Sequence, residues 1–325
     1  MKELIKELTR VYGPSGNEEE IRKKIIDEIK PYTDSIAVDS LGNIIATKTG
    51  PGAKLMLVAH MDEVGIIVTN VDDKGFLRFS NVGGVNPFTL IGQRVTFSSG
   101  ISGVFGMEKI DDIKNLKLNK MFIDIGAESK EKALENVNIG DMGVYNRQFS
   151  IIGDQVISNS LDDRAGCAIL IKVLKELRAP NYNVVMVFTV QEEVGLRGAK
   201  TSAYEVKPDL AIAVDVTATG DTPKAPKMAV ELGKGPAIKI KDNSVICHPK
   251  VKEALISAAK RMDLPFQLEV LEKGGTDAGA IHLSRSGVPS GALSIPTRYI
   301  HTPAEMANLN DIDMCVKLLI GLIEV

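Results

Sequence analysis

Apolar runs in this chain repeatedly lead into side chains able to bind a metal ion. Residues 54–59 lead to His60, 183–190 to Glu192-Glu193, 210–214 to Asp215, and 293–300 to His301. Asp162 opens the segment Asp162-Asp163-Arg164-Ala165-Gly166-Cys167, where a polar loop runs into a helix. In open α/β sheets ligands bind outside the carboxyl ends of the strands, so residues of these types at those ends are placed to build a site. Imidazoles and carboxylates without a thiolate suit Zn, Co or Mn, whereas Ca and Mg favour all-oxygen sites. Two such ions ~3.5–4 Å apart can hold a hydroxide and clamp both sides of a hydrolytic transition state. The pattern points to metal-assisted hydrolysis.

Neighbouring residues extend the argument. Extended residues two apart face the same side, so Asp62 can accept the N–H of a His60 ring whose other nitrogen binds metal. Adjacent carboxylates at Glu192 and Glu193 repel unless a cation lies nearby; with a metal on Glu193, Glu192 is free to accept a proton. Asp162 is the expected bridge between two ions. Asp215 closes an apolar strand, where a carboxylate is costly unless paired or metal-bound. Each residue alone has a plainer reading: a solvated strand end, an acidic loop, or acids favoured by a helix dipole. Their convergence on one kind of position carries the inference.

The elements that must position them alternate between helix and strand. Helices are expected over 2–11 and 18–31, the second opened by Ser15-Gly16-Asn17-Glu18 as a capping box. Strands follow at 35–39 and 43–48, joined by a turn at Leu41-Gly42-Asn43, and then at 54–59. From 66 to 153 short β-like runs are separated by Gly, Asp and Asn turns, with one helix near 129–135. That texture reads as a small barrel inserted into the α/β fold. After 154 the alternation returns: helices at 163–177, 249–262, 276–284 and 310–323, with strands at 183–190, 210–216, 266–271 and 291–296, and a β stretch near 228–241. The expected fold is α/β, a mixed central sheet flanked by helices. Its catalytic domain is residues 1–65 and 154–325, and its β-rich insert 66–153.

Composition bounds the function. A chain of 325 residues that is 44% hydrophobic and 25% charged is an ordinary globular protein with room for two domains. A formal charge of −3 argues against nucleic acid or an anionic membrane as partner. No apolar run approaches the ~18–20 residues of a membrane span, and the acidic, amphipathic start does not read as a signal peptide. Three scattered cysteines make neither a disulfide framework nor a thiolate zinc site. A cytoplasmic location is expected.

His60-x-Asp62, Asn159-Ser160-Leu161-Asp162-Asp163-Arg164-Ala165-Gly166, Glu192-Glu193-Val194-Gly195, Val214-Asp215-Val216, Gly274-Gly275-Thr276-Asp277-Ala278 and Ile300-His301-Thr302-Pro303 occur in this order. Together they resemble the TET-type dinuclear metalloaminopeptidases, glutamyl/leucyl aminopeptidase-like enzymes that form tetrahedral dodecamers. The resemblance runs nearly end to end. It implies one divalent ion on His60 and Asp215, a second on Glu193 and His301, Asp162 bridging, Glu192 as general acid/base, and Asp62 orienting His60. It further implies a PDZ-like insert that makes dimer contacts, dimers assembling into a dodecamer, and peptide substrates. Thr302 stands where Ser is also common.

On this reading a water bridging the ions loses its proton to Glu192 and attacks the scissile carbonyl, and Glu192 returns the proton to the leaving amine. Alternatives are another amidohydrolase with the same site (a deacylase or carboxypeptidase) and a non-catalytic oligomeric scaffold. An endoglucanase is disfavoured because glycosidases use two carboxylates without metals. His248 reads as a helix start, and His282 as packed or surface-exposed within a short helix. Arg298 suits either substrate contact or a salt bridge. The resemblance places the Gly274-Gly275 loop in the wall of the substrate pocket, and Ser158 and Ser160 lack a serine-hydrolase context.

Overall fold

The computed structural model describes residues 1–146 and 148–324. Its large sheet runs in the order Ser35–Val38, Ile44–Lys48, Asn183–Thr189, Lys54–His60, Leu210–Thr217, Ser290–Arg298, Glu305–Asn308, Gln155–Ser158 and Ser150–Ile152. Ala237–Lys241 and Gln267–Val270 branch from Ser290–Arg298. The central strands Asn183–Thr189, Lys54–His60, Leu210–Thr217 and Ser290–Arg298 are mutually parallel, so their carboxyl ends share one edge. Thr189 pairs level with His60, and Ala213 with Val58, which brings Asp215 level with His60.

Burial on both faces explains why these strands read as unbroken apolar runs. Strand side chains alternate between faces. Leu55, Leu57 and Ala59 enter the larger core with Val184, Met186, Phe188, Ile212 and Val214, while Met56, Val58, Val185, Val187, Ala211 and Ala213 face the other way. The larger core is covered by Lys2–Thr9, Glu19–Ile29, Leu161–Glu176, Pro249–Arg261 and Leu309–Ile323. Leu161–Glu176 is buried nearly all round, as its lack of a polar stripe requires. The opposite face carries Arg197–Val206 and Ala278–Ile281, whose alanines meet the small residues of the sheet. No helix among the described residues is long and apolar enough to cross a membrane.

The strands Gly65–Val71, Leu77–Val82, Met121–Asp124, Ser102–Met107, Arg94–Phe97 and Met142–Tyr145 close into an antiparallel barrel with its own core. The expected α/β sheet with a small inserted barrel is therefore present.

Local expectations failed where tertiary partners intervened. The Ser15–Glu18 capping box does not form: the Ser15 hydroxyl donates to Asp62 at 2.5 Å, and the helix starts without a side-chain cap. Residues 228–236 are not strand.

Phe188 is fully buried one residue before the end of the strand that leads to Glu192. Phe188→Ala should cost about 3–5 kcal/mol through lost burial and a residual cavity. Denaturant unfolding checks this; a midpoint equal to that of the parent chain would contradict the packing described.

Candidate metal centre

Each proposed ligand sits where regular structure ends. His60 closes its strand, and Asp215 lies two residues before the end of Leu210–Thr217. Glu192 and Glu193 follow Asn183–Thr189 through a left-handed Gln191 (φ +56°). His301 (φ +62°) follows Ser290–Arg298 through an equally left-handed Tyr299 (φ +61°). Asp162 and Asp163 depart from helical geometry at the start of Leu161–Glu176, after Ser160 at φ +58°. Left-handed non-glycine residues cost roughly 1–3 kcal/mol each and gather at functional sites.

These residues, far apart in sequence, converge on Asp162. His60 Nε2 lies 3.0 Å from Asp162 Oδ1 and 3.8 Å from Asp215 Oδ1. His301 Nε2 lies 3.2 Å from Asp162 Oδ2 and 3.2 Å from Glu193 Oε2. Asp162 thus turns one oxygen to each imidazole. The atoms of each triad lie within 4.8 Å of one another. Donors around a tetrahedral ion with ~2.0–2.2 Å bonds sit roughly 3.3–3.6 Å apart, close to these spacings. Glu193 Oε1 is buried and finds no hydrogen-bond partner among the described residues. The donor set and the orphaned oxygen fit divalent cations.

The triads open onto a cavity of ≈ 640 Å³. Glu192 lines it beside the triads, Leu196, Val216, Leu271 and Ile300 supply apolar wall, and Asn243, Ser244 and Lys273 supply polar wall. Gly274 and Gly275 line the same cavity.

The model for the M42 glutamyl aminopeptidase family matches residues 42–318. The chain belongs to the M42 aminopeptidase family. It is 58% identical to a relative from Acetivibrio thermocellus over 321 residues, 98% of this chain and 97% of that one. The aminopeptidase APDkam598 of the archaeon Desulfurococcus kamchatkensis has a similar structure, with TM-score 0.96 and 40% identity over 99% of this chain and 94% of that one. So does the Pyrococcus horikoshii TET1 peptidase, with TM-score 0.89 and 38% identity over 99% of this chain and 98% of that one. That peptidase can assemble into a tetrahedron or a large octahedral shell. The TET-type resemblance drawn from the motifs holds, and the M42 chain is a peptide hydrolase of the aminopeptidase kind.

Residues around the M42 triads hold them by their backbone. Asp62 lies 3.5 Å from His60 Nδ1, and besides the Ser15 hydroxyl its carboxylate accepts from the Glu192 and Glu193 amides at 3.0 and 3.2 Å. Glu305 was not singled out from sequence. Its carboxylate accepts from the amides of Asp162 (3.0 Å) and His301 (2.7 Å). Glu63, Ser160 and Asn159 form a hydrogen-bonded cluster beneath the Asp162 turn. Asp277 accepts from Thr189 at the strand end beside His60. The remaining candidates stand apart: His248 caps Pro249–Arg261, His282 contacts the Ala278 carbonyl, and Arg298 makes a two-pronged ion pair with Asp221.

The charges are mutually dependent. Burial would lower the His60 imidazole, yet Asp162 and Asp62 outweigh it and hold it well above its ordinary range. Against the same burial, Asp162 and Glu193 push His301 up to about 12. Burial, reinforced by neighbouring carboxylates, raises Glu192, Glu193, Asp163 and Asp215.

In protein stripped of metal by a chelator, all these groups bind protons more tightly folded than unfolded. The imidazoles stabilise the fold below their unfolded pKa and lose that contribution as pH rises through the folded one. The raised carboxyls oppose folding once they ionise. Stability should therefore fall from about pH 6 to about pH 8, because the folded state holds more protons. Asp62 and Asp162 are shifted down and are ionised in both states across this window, so they add no slope. Thermal melts of the stripped protein test this; a melting temperature that rises over the window would contradict it.

Proposed function

We propose that this chain is a dinuclear metalloaminopeptidase that removes N-terminal residues from peptides. His60 and Asp215 would hold one divalent ion, Glu193 and His301 the other, with Asp162 shared between them. The observation that carries this reading is the Asp162 carboxylate, whose two oxygens face different imidazole–carboxylate pairs. Zn or Co suits these donors best, with Mn also compatible. Bound there, the ions would lower the pKa of water and polarise the scissile carbonyl.

The chain's own groups do the proton work. Glu192 lines the cavity next to both triads without belonging to either, the place of a carboxylate that can act as base. It takes a proton from the attacking water as the new C–O bond forms. It delivers that proton to the peptide nitrogen as the C–N bond breaks. Asp62 fixes the Glu192 and Glu193 amides together, so the base and a ligand keep their relative placement. The apolar wall accommodates a side chain of the peptide. Dimers built through the barrel and a dodecamer built from dimers are the assembly we propose, in keeping with the shells formed by the TET1 peptidase.

A panel of aminoacyl chromogenic substrates, assayed on metal-loaded protein with and without chelator, tests the reaction class. Hydrolysis of free-amine substrates that chelation abolishes is expected; activity confined to N-acylated amino acids would make it a deacylase, and no activity a scaffold. Glu192→Gln should keep both ions and lose roughly 10²–10⁴-fold in turnover. Near-parental turnover would remove Glu192 as the base. His60→Ala and His301→Ala should each lower ion content, and full occupancy in both would undo the ligand assignment.

A further inference from the structure

Beyond the last barrel residue of Leu77–Val82, the chain turns through Gly83 and Gly84 and runs against the metal centre. A β-carbon on Gly84 would lie 2.6 Å from His301 Nδ1 and 2.9 Å from its Cε1. One on Gly83 (φ +78°) would lie 3.1 Å from Glu193 Cβ. The turn is fixed by Asn81, whose side-chain amide donates to the Gly83 carbonyl at 2.7 Å. From the barrel strand Met142–Tyr145, the Tyr145 hydroxyl donates to the His301 carbonyl at 3.5 Å.

These contacts fall on one half of the site. His60 and Asp215 stand on strands of the large sheet, and Cys167 beneath them donates to the His60 carbonyl. His301 stands on a loop, and its side chain is 34% exposed against 3% for His60. A loop-borne, partly exposed ring needs a further wall to fix its tilt, and Gly84 supplies one without a side chain.

We infer that the inserted barrel is the positioning element for the His301–Glu193 half of the metal centre, through Gly84 against the His301 ring, Gly83 against Glu193 and Tyr145 on the His301 backbone. The inference rests on the two-ion reading above. Its consequence is selective. A methyl group at Gly84 would lie well inside contact distance and tilt the ring, while metal–ligand bonds tolerate only about ±0.2 Å. Gly84 lacks a left-handed φ, so alanine itself suits the backbone there. His60, Asp162 and Asp215 would be unaffected.

The test is cobalt titration of the chelator-stripped full chain, read by visible absorbance and by the ion-to-chain ratio after dialysis. Gly84→Ala should bind one ion as the parent does and the second about 10–100-fold more weakly, the range for lost support of a metal ligand. Its one-ion spectrum should match that of His301→Ala and differ from that of His60→Ala. Tyr145→Phe should show a smaller loss at the same ion, and decides the matter if Gly84→Ala does not fold. Gly106→Ala, which burdens the barrel against the Phe122 ring instead, should leave both ions in place. Parental binding in both Gly84→Ala and Tyr145→Phe overturns the inference, as does equal weakening of both ions. A parent chain that binds fewer than two ions removes the two-ion reading, and the inference with it.

Discussion

Asp162 lies beside Asp215 on one side and Glu193 on the other, with Glu192 and Asp163 close by and all of them desolvated by burial. Like charges so placed repel steeply, and desolvation makes each ionised form costlier still. A sheet that converges carboxylates in this way needs positive charge among them and a rigid frame around them. In the metal-free chain the imidazoles of His60 and His301, held protonated by these carboxylates, supply part of that charge. Lys239, fully buried and paired with Glu269 and Asp242, adds a more distant share that favours the ionised form of Asp215. A metal bound as we propose would need those imidazoles neutral and would supply the positive charge itself.

The frame is built by carboxylates that grip backbone rather than metal. Asp62 takes the amides of Glu192 and Glu193, and Glu305 takes those of Asp162 and His301. Each fixes two neighbouring main-chain groups and leaves the ligand side chains free to turn inward. Amide-to-carboxylate bonds of this kind are charge-assisted and strong for their number. They also account for the left-handed residues nearby: the loops are held at a few points, and the backbone between them adopts whatever turn the ligands require.

The sequence disclosed this site because its strands are buried on both faces. An apolar run that stops at His60 or Asp215 is hard to explain in a core unless something pairs with the polar group. The parallel order then placed those ends on one edge, and the barrel announced itself through short runs broken by Gly and Asn. What stayed hidden depends on partners distant in sequence. Ser15 and Glu18 fit a capping box locally, but Asp62 claimed the Ser15 hydroxyl and the Gly16 and Gln191 amides claimed Glu18. Glu305 sits four residues past His301 in a loop whose fold-back no periodicity encodes. Nothing local to Gly83-Gly84 says that an imidazole lies across from it.

The two halves of the centre are therefore unequal in construction. His60 and Asp215 inherit their positions from hydrogen-bonded strands in the middle of the sheet, where neighbours on both sides fix the register. His301 and Glu193 lie past the ends of theirs, held by Glu305, Asp62 and the barrel turn. A ligand on a strand moves only if the sheet moves, whereas a ligand on a loop moves whenever one of its few restraints yields. Small displacements of the barrel relative to the sheet would thus be felt at one half long before the other. The insert thereby reaches the half of the proposed centre that the sheet holds least firmly.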